Sequence, residues 1–137
     1  MYPAEIVIPF KNQLTSQKFI SLETADAVHD FFKNAEGTVL LVVNSVCGCA
    51  AGAARPGVLA SLNHSKKPDH LVTVFAGVDK EATEAARRYL LPYPPSSPAI
   101  ALLRNGELLH MIERHMIEGR TAEMLAEHLK AVYDQYC

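Results

Sequence analysis

The sequence predicts an α/β protein built on a mixed central sheet flanked by helices on both faces. Three observations predict it. Two unbroken apolar runs, Thr38–Val43 and Leu71–Ala76, read as strands buried on both sides. Helical segments separate them, which suits right-handed parallel crossovers. Two later strands meet at Arg104-Asn105-Gly106, where Asn-Gly is a strong signal for a tight hairpin and so for antiparallel pairing. The 137 residues suit one domain over the whole chain.

In chain order, residues 1–20 are the hardest to assign. Val7–Phe10 reads as an extended edge piece and Leu14–Ile20 as a short helix. Ala25–Ala35 is a clear helix, with Thr24 as N-cap, Asp26 in the first turn and Gly37 as the stop. Its apolar stripe is Val28, Phe31, Phe32 and Ala35. After the Thr38–Val43 strand, Ala50–Asn63 reads as a helix kinked by the internal Pro56, which lacks a backbone N–H. Following Leu71–Ala76, Asp79 reads as the cap of a helix through Tyr89. Glu81 and Glu84 sit near its positive end and Arg87-Arg88 near its negative end. Four prolines make Leu91–Pro98 irregular. Ala99–Leu103 and Glu107–Ile112 form the hairpin. Thr121 caps a last helix to about Tyr136, with Met124, Leu125, Leu129, Val132 and Tyr133 on one face. This order of elements is the thioredoxin-like arrangement.

Composition removes several function classes. The chain is 49% apolar and 20% charged with net charge −2, an ordinary globular profile with no basic surface for nucleic acid. Its densest cations, Lys66-Lys67 and Arg87-Arg88, read as solvated faces. No apolar run approaches the ~20 residues that cross a bilayer, and Met1–Phe10 lacks the pattern of a targeting signal. The expected location is the cytoplasm. Gly48, Gly52 and Gly57 do not make a phosphate-binding pattern, so no nucleotide cofactor is expected. Oligomeric state is not legible.

Three cysteines are too few, and odd in number, for a secreted disulfide scaffold. Cys47 and Cys49 flank Gly48 where the first buried strand gives way to a helix. A helix N-terminus carries roughly half a positive charge and free N–H groups, which favour thiolate over thiol. Cys47 is expected to be the nucleophile and Cys49 the resolving thiol, with Gly48 letting the backbone close a very small ring. A disulfide across one intervening residue should be strained and readily reduced. Cys-x-Cys also occurs in soft-metal sites, and Cys47, Cys49 and His115 are the residues such a module would use. No second Cys/His cluster at zinc spacing is present, so redox chemistry is favoured and no metal is expected. Ser96-Ser97-Pro98 precedes a strand. A cis Ser97–Pro98 bond would expose Ser97 backbone groups beside the thiol for β-type pairing with a substrate chain.

Pro98 through Glu107 resembles the cis-proline strand and hairpin of thioredoxins. The closer resemblance is to the bacilliredoxin family of Cys-Gly-Cys proteins. It rests on Val42–Gly52 with Ala54-Arg55-Pro56, on Val72–Gly77 and on Asp79–Thr83. It continues through Pro95–Pro98, Arg114-His115, Ile117-Glu118-Gly119 and Cys137. The resemblance implies removal of bacillithiol, a low-molecular-weight thiol, from mixed disulfides on oxidised client proteins. Bacillithiol is then a co-substrate, and no bound cofactor is implied. A member of this type has also been regarded as a disulfide isomerase, and general protein disulfide isomerase or reductase activity is the alternative. Carried over, Cys47 takes the small thiol, and Cys49 or a second small thiol releases it.

Other residues carry two readings. The topology puts Arg114, His115 and Glu118 near the thiol pole, where Arg114 would steady a thiolate or His115 would move a proton. It puts Cys137 at the far pole, because the last helix starts near the thiols and runs about 24 Å away. Arg55 reads as the partner of a carboxylate, and Pro56 as shaping the helix.

Overall fold

The computed structural model describes residues 2–137. Its centre is the strand β2 (Thr38–Asn44), all seven residues of which are buried. Alternation divides them between two cores. Val39, Leu41 and Val43 face the side covered by α2 (Ala25–Asn34) and α4 (Lys80–Arg88). Leu40 and Val42 face the side covered by α1 (Ala4–Thr15), α3 (Arg55–Ser61) and α6 (Ala122–Tyr136). Such two-sided burial, at roughly 1.5–3 kcal/mol for each large apolar side chain, explains the unbroken Val/Leu run.

The sheet has five strands in the order β1-β3-β2-β4-β5. β3 (His70–Phe75) runs parallel to β2, and the two-residue β1 (Ile20–Ser21) runs parallel to β3. β4 (Ala99–Arg104) runs antiparallel to β2 with Val43 opposite Ala99, and β5 (Glu107–Ile112) runs antiparallel to β4. Asn105 and Gly106 turn the hairpin at φ 51° and 82°, the left-handed conformation Asn-Gly favours. One pole therefore gathers the ends of β2, β3 and β5 with the start of β4. A four-residue helix, α5 (Arg114–Ile117), follows β5 there. Among the described residues no helix is long and apolar enough to cross a membrane.

Five expectations about elements are corrected. Residues Ala4–Thr15 form one helix, so Val7–Phe10 is not an extended piece, and Leu14–Ile20 is helix end, turn and strand. The β-branched Ile6-Val7-Ile8 and the internal Pro9 argue locally against helix. Burial of Val7 and Leu14, two turns apart on one face, outweighs them. The helix after the cysteines is not simply kinked at Pro56. Residues Ala50–Ala54 form a π-helical turn that runs on into α3, and the wider spacing of its bonds, with Arg55 N–H on the Ala50 carbonyl, takes up the irregularity just before Pro56, which has no N–H to donate. Asp79 does not cap α4 with its side chain; its carboxylate pairs with Lys11 Nζ at 2.7 Å. Met124 is 53% exposed and off the buried face of α6, about 100° round the helix from Leu125. The expected caps Thr24 and Thr121 do accept from the backbone N–H groups of Ala27 and Met124.

Candidate active site

Between β2 and the π-helical turn the chain passes through Ser45-Val46-Cys47-Gly48-Cys49. The Cys47 carbonyl accepts from the N–H groups of Ala50 and Ala51, so Cys47 opens the helix. Its own N–H donates to Ser45 Oγ at 3.2 Å. Both thiols are half-buried, free, and 2.7 Å apart at Sγ. A Cβ on Gly48 would meet nothing within 4 Å, so crowding is not what places glycine there.

The two thiols are electrostatically unequal. Burial pushes Cys47 up, but the hydrogen bond with Cys49, the N–H groups of Cys49 and Ala50, and the Arg114 guanidinium together hold it below its ordinary value. Cys49 is raised by burial and by its hydrogen bond and charge interaction with Cys47, with Arg114 opposing. When the pair gives up one proton, these surroundings favour the charge on Cys47 and keep the remaining proton on Cys49.

Beneath this loop lies Arg55, fully buried. The expected carboxylate partner is not there. Arg55 Nε donates to Gln13 Oε1 at 2.6 Å, and Nη1 donates to Asn44 Oδ1 at 2.9 Å and the Ser45 carbonyl at 2.8 Å. Its guanidinium lies 4.3 Å from the centre of the Phe10 ring. Neutral acceptors take its Nε and Nη1, while Nη2 is buried without a partner; α1, whose helical course was not legible, supplies Phe10 and Gln13. Burial lowers its pKa, and the Cys47 charge opposes that shift. Asn44 closes the network by accepting from the Ser45 N–H and donating to the Phe10 carbonyl.

The Ser97–Pro98 bond is cis, as expected, and so is Leu91–Pro92. Ser97 lines one cavity with Cys47, Arg87 and Arg114. Arg114 Nη1 donates to the Ser97 carbonyl at 3.3 Å and Nε to Glu118 Oε1 at 2.6 Å. Arg114 is thus brought to the thiols. His115 is not: its side chain is 74% exposed, with Glu113 at 3.9 Å. Arg87 is a correction in the other direction, since it borders this cavity rather than a solvated face. Its position at the end of an amphipathic helix carries no signal of that. Cys137 lies at the opposite pole, its thiol 3.9 Å from Thr38 Oγ1 at the start of β2. A strand of this length holds the poles roughly 20 Å apart, far beyond disulfide reach of Cys47.

Comparison with solved structures identifies the fold as thioredoxin-like. Reduced Schistosoma mansoni thioredoxin pre-protein matches with a TM-score of 0.56 and 15% identity, over 87% of this chain and 98% of that one. A cysteine pair at the strand-to-helix junction of this fold defines the class, a thiol–disulfide redox protein. The family model described as disulphide isomerase matches residues 2–137. The bacilliredoxin of Cytophaga hutchinsonii is 61% identical over 98% of this chain and 99% of its own. Bacilliredoxins of Shouchella clausii and Koribacter versatilis are 51% and 50% identical, over 99% and 100% of this chain and 94% of each of theirs. The chain belongs to the bacilliredoxin family.

Proposed function

We propose that this protein removes bacillithiol from mixed disulfides on client proteins. The asymmetry of the thiol pair carries the reading: one thiol is held below its ordinary pKa, and a second, held above it, lies 2.7 Å away. The names of its relatives support the choice of small thiol. The Cys47 thiolate attacks the bacillithiol sulfur of the mixed disulfide. The client sulfur leaves as a thiolate and takes up a proton, and the small thiol stays on Cys47. Cys49 loses its proton and attacks Cys47 Sγ, expelling bacillithiol as a thiolate. The pair is then oxidised by two electrons, which have reduced the mixed disulfide. A second small thiol attacking the bound one releases it instead as a symmetrical disulfide. Ser97, beside Cys47, offers backbone groups for the client chain.

The Cys49→Ala variant tests this. Mixed with a client carrying bacillithiol, it is expected to accumulate the small-thiol adduct on Cys47, read by intact-mass spectrometry. Client protein alone trapped on Cys47 would favour the second reading, a general disulfide isomerase or reductase, which the description of the family model supports. For a metal module the geometry offers little. Among the described residues no group of three or more His, Cys, Asp or Glu is placed to hold an ion, and His115 stands in solvent.

The covalent spacing gives a further prediction. A ring closed across one residue departs from relaxed disulfide geometry, so the pair should be more oxidising than thioredoxin, at about −270 mV. Titration against a thiol redox buffer checks this; a value well below −270 mV would contradict it.

A further inference from the structure

The cavity beside Cys47 has a volume of about 310 Å³ and includes Tyr2, Ala76, Gly77, Arg87 and Arg114 in its lining. That is the low end for a small-molecule site. Two guanidinium groups border it and no carboxylate does. Arg114 pairs with Glu118, which lies outside the lining. Arg87 makes no ion pair among the described residues, and its Nε is sealed from solvent with no hydrogen-bond partner there. Its place in the last turn of α4 offsets part of its charge through the helix carbonyls. That leaves the fork itself unpaired. Arginine does not shed its proton at ordinary pH, so the charge of this half-buried group persists with only water on its Nη groups, and partial burial strengthens its attraction for an anion. Burial also disfavours its charge. Gly77, at φ +82°, admits Tyr2 as a wall, since a Cβ there would stand 3.1 Å from Tyr2 Cε2.

We infer that this cavity is an anion subsite, in which Arg87, with Arg114 at the rim, receives a carboxylate of the small thiol whose sulfur reacts at Cys47. The inference rests on the exchange reading above and names its substrate class: low-molecular-weight thiols that carry a carboxylate. A planar carboxylate meets a guanidinium fork through two parallel hydrogen bonds, which fixes orientation as well as charge. It would give the Arg87 charge the counter-ion it lacks and hold the sulfur beside Cys47, which shares the cavity lining.

The test uses the symmetrical disulfides of 3-mercaptopropionate and 2-mercaptoethanol, which differ chiefly in charge. On the Cys49→Ala background, Cys47 attacks each; one half stays on Cys47 and the other leaves as a thiolate. The second-order rate is read by intact mass. The carboxylate-to-neutral rate ratio is divided by the same ratio for free 2-mercaptoethanol, which removes intrinsic reactivity. The parent chain is expected to favour the carboxylate by about tenfold after that correction, the size of one charge-assisted contact. Arg87→Gln is expected to erase most of the preference, and Arg87→Lys to keep part of it. A corrected ratio near one in the parent overturns the subsite without any variant. So does an unchanged ratio in Arg87→Gln, and either result leaves the exchange reading standing. No adduct on Cys47 with either reagent overturns both.

Discussion

The Cys47→Ser variant is expected to take the small thiol from a mixed disulfide at least about a thousandfold more slowly than the parent, because a hydroxyl near neutral pH supplies almost no anionic nucleophile. Cys49→Ser is expected to complete the same first transfer at close to the parental rate and then stall. The difference follows from the geometry. The helix N–H groups and Arg114 act on Cys47, whereas Cys49 carries the raised pKa. Single-turnover release of the client thiol, followed by mass or absorbance, separates the two steps.

The pH profile of Cys47 carries the same argument. Its folded pKa is depressed, so alkylation by iodoacetamide should rise with pH and level off at lower pH than for an ordinary free thiol. The linked stability has the matching sign. Deprotonating Cys47 stabilises the folded chain above the unfolded thiol's pKa, and that contribution disappears as pH falls through the folded pKa. Among the influences that lower Cys47, the Cys49 side chain is the largest. Cys49→Ala should therefore move the alkylation midpoint upward relative to Cys49→Ser, whose hydroxyl can still donate to the thiolate. Equal midpoints in the two variants would show that the helix and Arg114 suffice.

What the residues reveal unaided is uneven in a physically sensible way. β2, β3 and the β4–β5 hairpin are legible because a strand buried on both faces has no freedom to be polar, and because Asn105-Gly106 announces its turn. The amphipathic α2 and α6 are legible from period and caps. α1 is not, since Ile6-Val7-Ile8-Pro9 favours extended chain locally and only contacts with Asn44, Arg55 and the core make it a helix. β1 has two residues and α5 four, too few to show a period.

The candidate site divides along the same line. Cys47-Gly48-Cys49 and Ser97-Pro98 are local patterns at a strand–helix junction and before a strand, so spacing exposes them. Arg114 followed from topology, because β5 had to end at the thiol pole. Arg55 and Arg87 derive their roles from partners far away in sequence, or from the lack of one, and a lone arginine in a helix says nothing about either.

Arg55 sets a large expected stability effect at the base of the site. Arg55→Ala is expected to destabilise the fold by about 3 kcal/mol or more, read from the urea midpoint at constant slope. Gln13 is exposed and can turn to water. Asn44 and Ser45 are buried at 1% and 6% exposure and cannot. The Ser45 carbonyl loses its donor, at roughly 1–3 kcal/mol, Asn44 Oδ1 keeps only the Ser45 N–H, and the lost stacking on Phe10 opens a void beside them, at a further few kcal/mol. Arg55→Lys should recover only a minor part, because one ammonium cannot span acceptors on α1, β2 and the loop with a planar fork. Apolar replacement of a buried charge is sometimes neutral, but there the charged partner goes too; here the acceptors are neutral and stay. The same variant bears on chemistry. Asn44 and Ser45 hold the backbone from which Cys47 is presented, and the Arg55 charge and the Cys47 thiolate favour one another. The Cys47 alkylation midpoint should therefore rise in Arg55→Ala. A variant within about 0.5 kcal/mol of the parent, with that midpoint unmoved, would mean that the loop holds its shape by helix contacts alone and that Arg55 is a passenger beneath it.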